Sequence, residues 1–198
     1  EVNIPADANL LGGISSRLTK LTCIFPLKSS YPISRFLSNQ PAIEELYIDC
    51  HRSNLSPLEP GAFPVLKNLN APLRLLSRLL VCRLPFLYRL CVLDVMRCEI
   101  ELMALGLGFL FVGLSEPLEL VIWVDVDSGI RHATLLRALG LLGRAATCVA
   151  SLRLNICGDR IGQEELQDIT STLSSFSNLQ TSAITFHPIN SEICVSIL

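Results

Sequence analysis

What constrains this chain most is one run, Leu90-Cys91-Val92-Leu93-Asp94-Val95-Met96-Arg97-Cys98-Glu99-Ile100. Its spacing is L-x-x-L-x-V-x-x-C-x-I, and fainter copies recur along the sequence. Such spacing describes a short strand that turns away at a small polar residue. In this reading Leu90, Leu93, Val95 and Ile100 point into a core. Val92, Asp94 and Met96 face out, because successive strand side chains take opposite faces. Cys98 stands where a small side chain can hydrogen-bond backbone as the strand ends. One such unit cannot bury its apolar edge alone, so neighbouring copies must cover it.

The other copies are Leu18-x-x-Leu21-x-Cys23, Ile43-x-x-Leu46-x-Ile48, Leu66-x-x-Leu69-x-Ala71 and Val149-x-x-Leu152-x-Leu154-x-x-Cys157. Leu118–Val126 alternates strictly, with Leu120, Ile122, Val124 and Val126 on one face and Glu119, Val121, Trp123 and Asp125 on the other. Leu179–Phe186 is a last, degenerate strand. Helical periodicity fills the gaps. Ile33–Ser38 makes a short helix, and Leu73, Leu76, Leu79 and Leu80 follow Pro72, a residue suited to a first helical turn. Glu99–Leu114 is an apolar, buried helix. His132–Arg144 buries Leu135, Leu136, Leu139 and Leu142, and Gln163–Ser175 buries Leu166, Ile169 and Leu173.

The second apolar position of each unit falls near residues 21, 46, 69, 93, 120, 152 and 182. Steps of about 23 to 32 residues overlap the leucine-rich repeat range. The expected fold is therefore α/β: a leucine-rich-repeat-like solenoid, or horseshoe, with parallel strands on the concave side and helices or loops on the convex side. Residues 1–16 read as the ragged end of an earlier repeat, and residues 17–198 as a single domain of about seven repeats. A doubly wound sheet would also alternate strands and helices, but it calls for a phosphate loop after an early strand. Neither G-x-G-x-x-G nor G-x-x-x-x-G-K is present there.

Half of the 198 residues are hydrophobic and 17% are charged. The mean hydropathy of +0.48 is high for a soluble domain. A continuous leucine ladder accounts for part of that excess. Exposed apolar ends account for the rest if the chain is a piece of a longer protein, as its start at Glu1 and its Ser-Ile-Leu close suggest. The uncharged run Leu102–Ser115 is about fourteen residues, short of the ~20 that a spanning helix needs. A membrane partner is not expected. Nor is nucleic acid, since the net charge is −2 and no basic stripe exists. The eight cysteines contain no C-x-x-C pair and read as buried free thiols, which places the chain in the cytoplasm or nucleus. The sequon Asn54-Leu55-Ser56 is then chance.

No catalytic constellation emerges, and the chain reads as non-enzymatic with no cofactor. Asp125-Val126-Asp127 at a strand end could hold a divalent metal, but no partner acid, phosphate loop or basic clamp accompanies it. A turn role for Asp127 with an exposed Asp125 is the simpler reading. His51, His132 and His187 have no i, i+4 partner for a zinc face and read as exposed or loop histidines. Gly106-x-Gly108 lies inside an apolar helix, where close helix packing explains it. The informative set is the open face of the sheet: Tyr47, Asp49, Asn68, Asn70, Asp94, Met96, Trp123, Asp125, Arg153 and Asn155. Aromatic rings among Asp and Asn have the make-up of an interface hot spot, so a protein partner is expected on this concave face.

Two stretches resemble a known family. Phe36-Leu37-Ser38-Asn39-Gln40-Pro41-Ala42-Ile43-Glu44-Glu45-Leu46 and Leu58-Glu59-Pro60-Gly61-Ala62-Phe63-Pro64-Val65-Leu66-Lys67-Asn68-Leu69-Asn70-Ala71-Pro72 look like the repeat region of F-box-type leucine-rich repeat proteins of mushroom-forming fungi. The resemblance covers residues 36 to 100, and the remainder only by period. It implies the substrate-recognition arm of a cullin–RING ubiquitin ligase adaptor, docked to the ligase through an F-box outside this chain. A structural repeat protein without any ligase link is the alternative.

Overall fold

The computed structural model describes residues 3–4, 17–25, 33–50, 58–59, 61–110, 114, 116–126, 131–158 and 161–187. The sequon at Asn54, His51, Asp127 and the stretch after His187 lie outside them, as do the side chain of Cys50 and all of Cys194.

The strands are β1 (Asn3–Ile4), β2 (Lys20–Phe25), β3 (Glu45–Cys50), β4 (Asn68–Ala71), β5 (Arg89–Met96), β6 (Leu118–Asp125), β7 (Val149–Cys157) and β8 (Thr181–His187). The helices are α1 (Ile33–Ser38), α2 (Leu73–Leu79), α3 (Glu99–Phe109), α4 (His132–Ala145) and α5 (Gln163–Thr172). Among the described residues eight strands form one sheet, every neighbouring pair is parallel, and the spatial order follows the chain. The sheet has no reversal of strand order, so it is not doubly wound. β1 lies within residues 1–16 and pairs with β2 through Asn3↔Thr22 and Ile4↔Cys23, so part of that segment belongs to the sheet.

The register aligns one residue of each strand from β2 to β8 into an inner ladder: Leu21, Leu46, Leu69, Leu90, Leu120, Leu152 and Ser182. A second rung runs through Cys23, Ile48, Ala71 and Val92, and then Ile122, Leu154 and Ile184. The leucines of the first ladder are 0–2% exposed. Helix side chains Leu37, Leu75, Leu76, Leu79, Leu102, Leu105, Leu135, Leu139 and Ile169 join the same core, so the described helices cover this one face of the sheet. Among the described residues no helix is long and apolar enough to cross a membrane.

The central strand departs from the expected phase. Leu87, Leu90 and Val92 are fully buried, matching Ile43-x-x-Leu46-x-Ile48 and Leu66-x-x-Leu69-x-Ala71. The unit therefore starts at Leu87 rather than Leu90. Leucines at 87, 90 and 93 are evenly spaced by three, so both phases satisfy the pattern locally, and only the neighbouring strands decide between them. Cys91 pairs with Val121 and Val95 with Trp123, so Val92, Leu93 and Asp94 stand opposite Ile122 alone. This bulge turns Leu93 and Val95 away from the core and returns Met96 to it at 0% exposure. Ile100, expected inside, is 75% exposed.

The helix expected over Glu99–Leu114 ends at Phe109 and is buried on one side only. Gly106 of that helix lies within ordinary contact of Leu142 and Ala145 on α4, and Gly108 lies against Leu80. Residues Gln163–Ser175 divide into α5 and a closing 3-10 turn, Leu173–Ser175. The six described cysteines are free thiols, with Cys23, Cys82 and Cys157 buried and Cys98 exposed.

Candidate functional site

The outer face of the sheet is organised in rows by the same register. Nearest the strand starts runs a polar row: Lys20 pairs with Glu45 at 2.8 Å, and Arg89 and Arg153 both reach Glu119, at 3.5 and 3.3 Å. The hydroxyl of Thr181 donates to Ser151 Oγ at 2.9 Å. These exposed pairs contribute little stability singly. Arg153 itself stands opposite Val121, one row further along the strands, and its guanidinium reaches back to Glu119. Asn68 shares the polar row, with its Oδ1 buried and unpartnered. The next row aligns Thr22, Tyr47, Asn70 and Cys91.

Beyond these rows, at the carboxyl ends of β3, β5 and β6, the strand ends and the first turns of α2 and α3 enclose a groove of about 710 Å³. Tyr47, Asp49, Leu93, Asp94, Val95 and Trp123 come from the strands, Leu73, Arg74 and Ser77 from α2, and Ile100, Glu101 and Ala104 from α3, with Arg97 between. The β5 bulge builds its floor, because it is what brings Leu93, Asp94 and Val95 outward together.

Electrostatics order the groove. Asp94 Oδ2 accepts from the Leu73 backbone N–H at 2.6 Å, and Asp94 Oδ1 from Arg74 Nη1 at 3.3 Å. Arg74 Nη2 lies 3.7 Å from Asp49 Oδ1, so one guanidinium sits between two carboxylates. Arg97 Nε is 3.7 Å from Asp125. The backbone N–H groups of Arg97 and Cys98 donate to Glu101 Oε2 at 2.5 and 3.0 Å, which caps the start of α3. Burial pushes the Tyr47 hydroxyl above its usual value, and the charges of Asp49 and Cys91 add to that.

Trp123 stacks on His187, with ring centroids 4.8 Å apart and planes inclined by 35°. Beneath them Asn155 is 6% exposed. Its Nδ2 donates to Ile122 O at 3.4 Å, and its Oδ1 lies 3.3 Å from His187 Nε2. His132, near the start of α4, lies 3.3 Å from Asp168 of α5, far from the groove.

Of the ten residues expected on the open face, Tyr47, Asp49, Asp94 and Trp123 meet in the groove, and Asp125 borders it through Arg97. Asn68, Asn70 and Arg153 lie in the rows toward the strand starts. Two placements are corrected. Met96 is in the core because of the bulge, and Asn155 lies under the Trp123–His187 pair rather than open to a partner. Sequence reasoning missed Arg74, Arg97 and Glu101, and placed Ile100 in the core. Arg97 and Glu101 flank a strand exit, which is a signal of sorts, whereas Arg74 announces itself only once α2 is placed beside β5.

Among the described residues the groove is lined by carboxylate, guanidinium, hydroxyl, aromatic and aliphatic side chains. Among the described residues no three His, Cys, Asp or Glu side chains gather as a metal site. No family model matches the chain, and no curated protein matches it.

Proposed function

We propose that the chain is a non-enzymatic protein-recognition domain of the cytoplasm or nucleus, built as a leucine-rich-repeat-like solenoid whose strand face and adjoining groove hold a protein partner. One observation carries this reading. Eight parallel strands stand in chain order, with an apolar ladder inside, and the other side presents Tyr47, Asp49, Asp94 and Trp123 around one open groove. A repeating sheet covered on one face by helices leaves the other face for contact. Rings beside carboxylates suit an interface centre. Within this reading, the likeness of residues 36–46 and 58–72 to F-box-type repeat proteins supports the substrate-binding arm of a cullin–RING ligase adaptor.

The test is affinity capture of the full-length protein from its native cells, read by mass spectrometry and repeated with Trp123→Ala. The adaptor reading expects cullin and its F-box-binding adaptor with both forms, and at least one further protein depleted with Trp123→Ala. Capture of a stable partner without ligase components removes the adaptor role and leaves recognition. Capture of no partner that depends on Trp123 argues against recognition by this face.

A further inference from the structure

The groove does not stop at the strand ends. Ile100 and Ala104, which line it, also begin an exposed apolar stripe on α3 that continues through Met103, Leu107 and Leu110. These residues recur every three or four positions and so share a helix face. Ile100 is 75% exposed, Leu107 59% and Leu110 62%. The opposite face, with Leu102, Leu105 and Phe109, already supplies the core. A contiguous exposed apolar surface of this kind marks a contact site.

Charge narrows the occupant. The groove holds Asp49, Asp94 and Glu101 against Arg74 and Arg97, and Asp125 adds a further carboxylate beside Arg97. Among the described residues the balance is acidic. Glu101 is committed to backbone N–H groups and Asp94 to Leu73 and Arg74. Asp49 is 3.7 Å from Arg74, too far for a hydrogen bond, so its oxygens can accept from an incoming cation. Tyr47 and Trp123 border the same space, and aromatic faces attract cations.

We infer that groove and stripe form one docking surface for an amphipathic helix of a partner protein, whose apolar face lies on Ile100, Met103 and Leu107 while a Lys or Arg side chain enters the groove toward Asp49. This rests on the protein-recognition reading and adds the partner's chemistry to it. A second copy of the chain fits less well. Glu99 of α3 is already paired with Arg137 at 2.6 Å, and α3 itself carries no Lys or Arg that a mirrored copy could place toward Asp49. The same acidic balance repels an anionic membrane surface.

The full chain is panned against displayed random peptides of about 15 residues, enough for four helical turns. Enriched peptides are then titrated by Trp123 fluorescence. The expected winners carry a basic residue one turn from an apolar stripe, and bind more weakly as salt rises. Leu107→Glu, Ile100→Glu and Asp49→Asn each weaken them about tenfold, the loss of one hot-spot contact, with the far-UV circular dichroism unchanged. Ile100 and Leu107 lie outside the core, so these variants keep the fold. Acidic winners overturn the inference, as do basic winners indifferent to all three substitutions. Winners sensitive instead to Asn70→Ala or Arg153→Ala overturn it while leaving recognition by the strand face intact. A library with no binder counts against both. Uptake of phosphatidylglycerol vesicles that Leu107→Glu abolishes replaces the partner helix with a membrane.

Discussion

Asp94 Oδ2 accepts a 2.6 Å hydrogen bond from the backbone N–H of Leu73, which ties the bulge of β5 to the first turn of α2. The first N–H groups of a helix have no partner within it, so a carboxylate from the next strand satisfies one of them. Asp94→Ala removes that acceptor and the nearer carboxylate of Arg74 together. The expected loss is about 1–2 kcal/mol of unfolding free energy, read from urea denaturation. Asp94→Asn keeps an oxygen acceptor and loses less.

The phase of the central unit is testable by a pair of truncations. Leu90 is wholly buried in the ladder between Leu69 and Leu120, whereas Leu93 is partly exposed at the groove. Leu90→Ala costs about 2–5 kcal/mol, the range for a buried leucine, and Leu93→Ala costs a fraction of that. Equal losses would return Leu93 to the core.

Helix packing makes a second pair. A Cβ on Gly143 would meet Ser175 Oγ and Phe176, whose Cδ2 would stand 2.7 Å away. Gly143→Ala therefore forces α4 from the closing 3-10 turn after α5, and lowers stability by about 1–3 kcal/mol. A Cβ on Gly106 finds its nearest atom at 3.6 Å, ordinary contact. Gly106→Ala should be neutral or gain up to about 1 kcal/mol from helix propensity. Thermal unfolding of both variants separates the two cases.

Buried thiols give stability a direction with pH. Burial pushes the Cys23 thiol up to about 12, and it raises Cys82, Cys91 and Cys148 in the same sense. The unfolded chain loses these protons near pH 8.5, before the folded chain does. Their contribution is thus fully present below about pH 8.5 and is lost as pH rises toward 12. The urea midpoint should fall as pH climbs through this window, and Cys23→Ala should flatten the fall. Among the six described cysteines the exposed Cys98 alkylates first at neutral pH and Cys23 last, as mass spectrometry of timed iodoacetamide labelling would show.

Much of the sheet was legible in the sequence because its strands are locally redundant. Ile43-x-x-Leu46-x-Ile48, Leu66-x-x-Leu69-x-Ala71 and Val149-x-x-Leu152-x-Leu154 each reveal a buried face by alternation, and the structure buries each of those side chains. The central strand misled for the opposite reason, since three leucines at equal spacing fit two phases. A bulge is a relation between two strands and leaves no mark on one of them. Met96, expected outside, and Leu93 and Val95, expected inside, were all misplaced by it. Asn155 was misplaced because His187 covers it from the next strand. Tyr47, Asp49, Asp94 and Trp123 were readable as outward residues, but their meeting in one groove required the placement of α2 and α3.

Trp123 is where the functional reading is most exposed to contradiction. It lines the groove, pairs with Val95 across the bulge and stacks on His187 without entering the core. The most direct measurement is the Kd of the captured partner for Trp123→Ala against the unaltered chain, with the far-UV circular dichroism of both. If this face recognises protein, binding weakens about tenfold or more while the spectrum stays the same. An unchanged Kd would contradict recognition at the groove, and a collapsed spectrum would make Trp123 a residue of the fold instead.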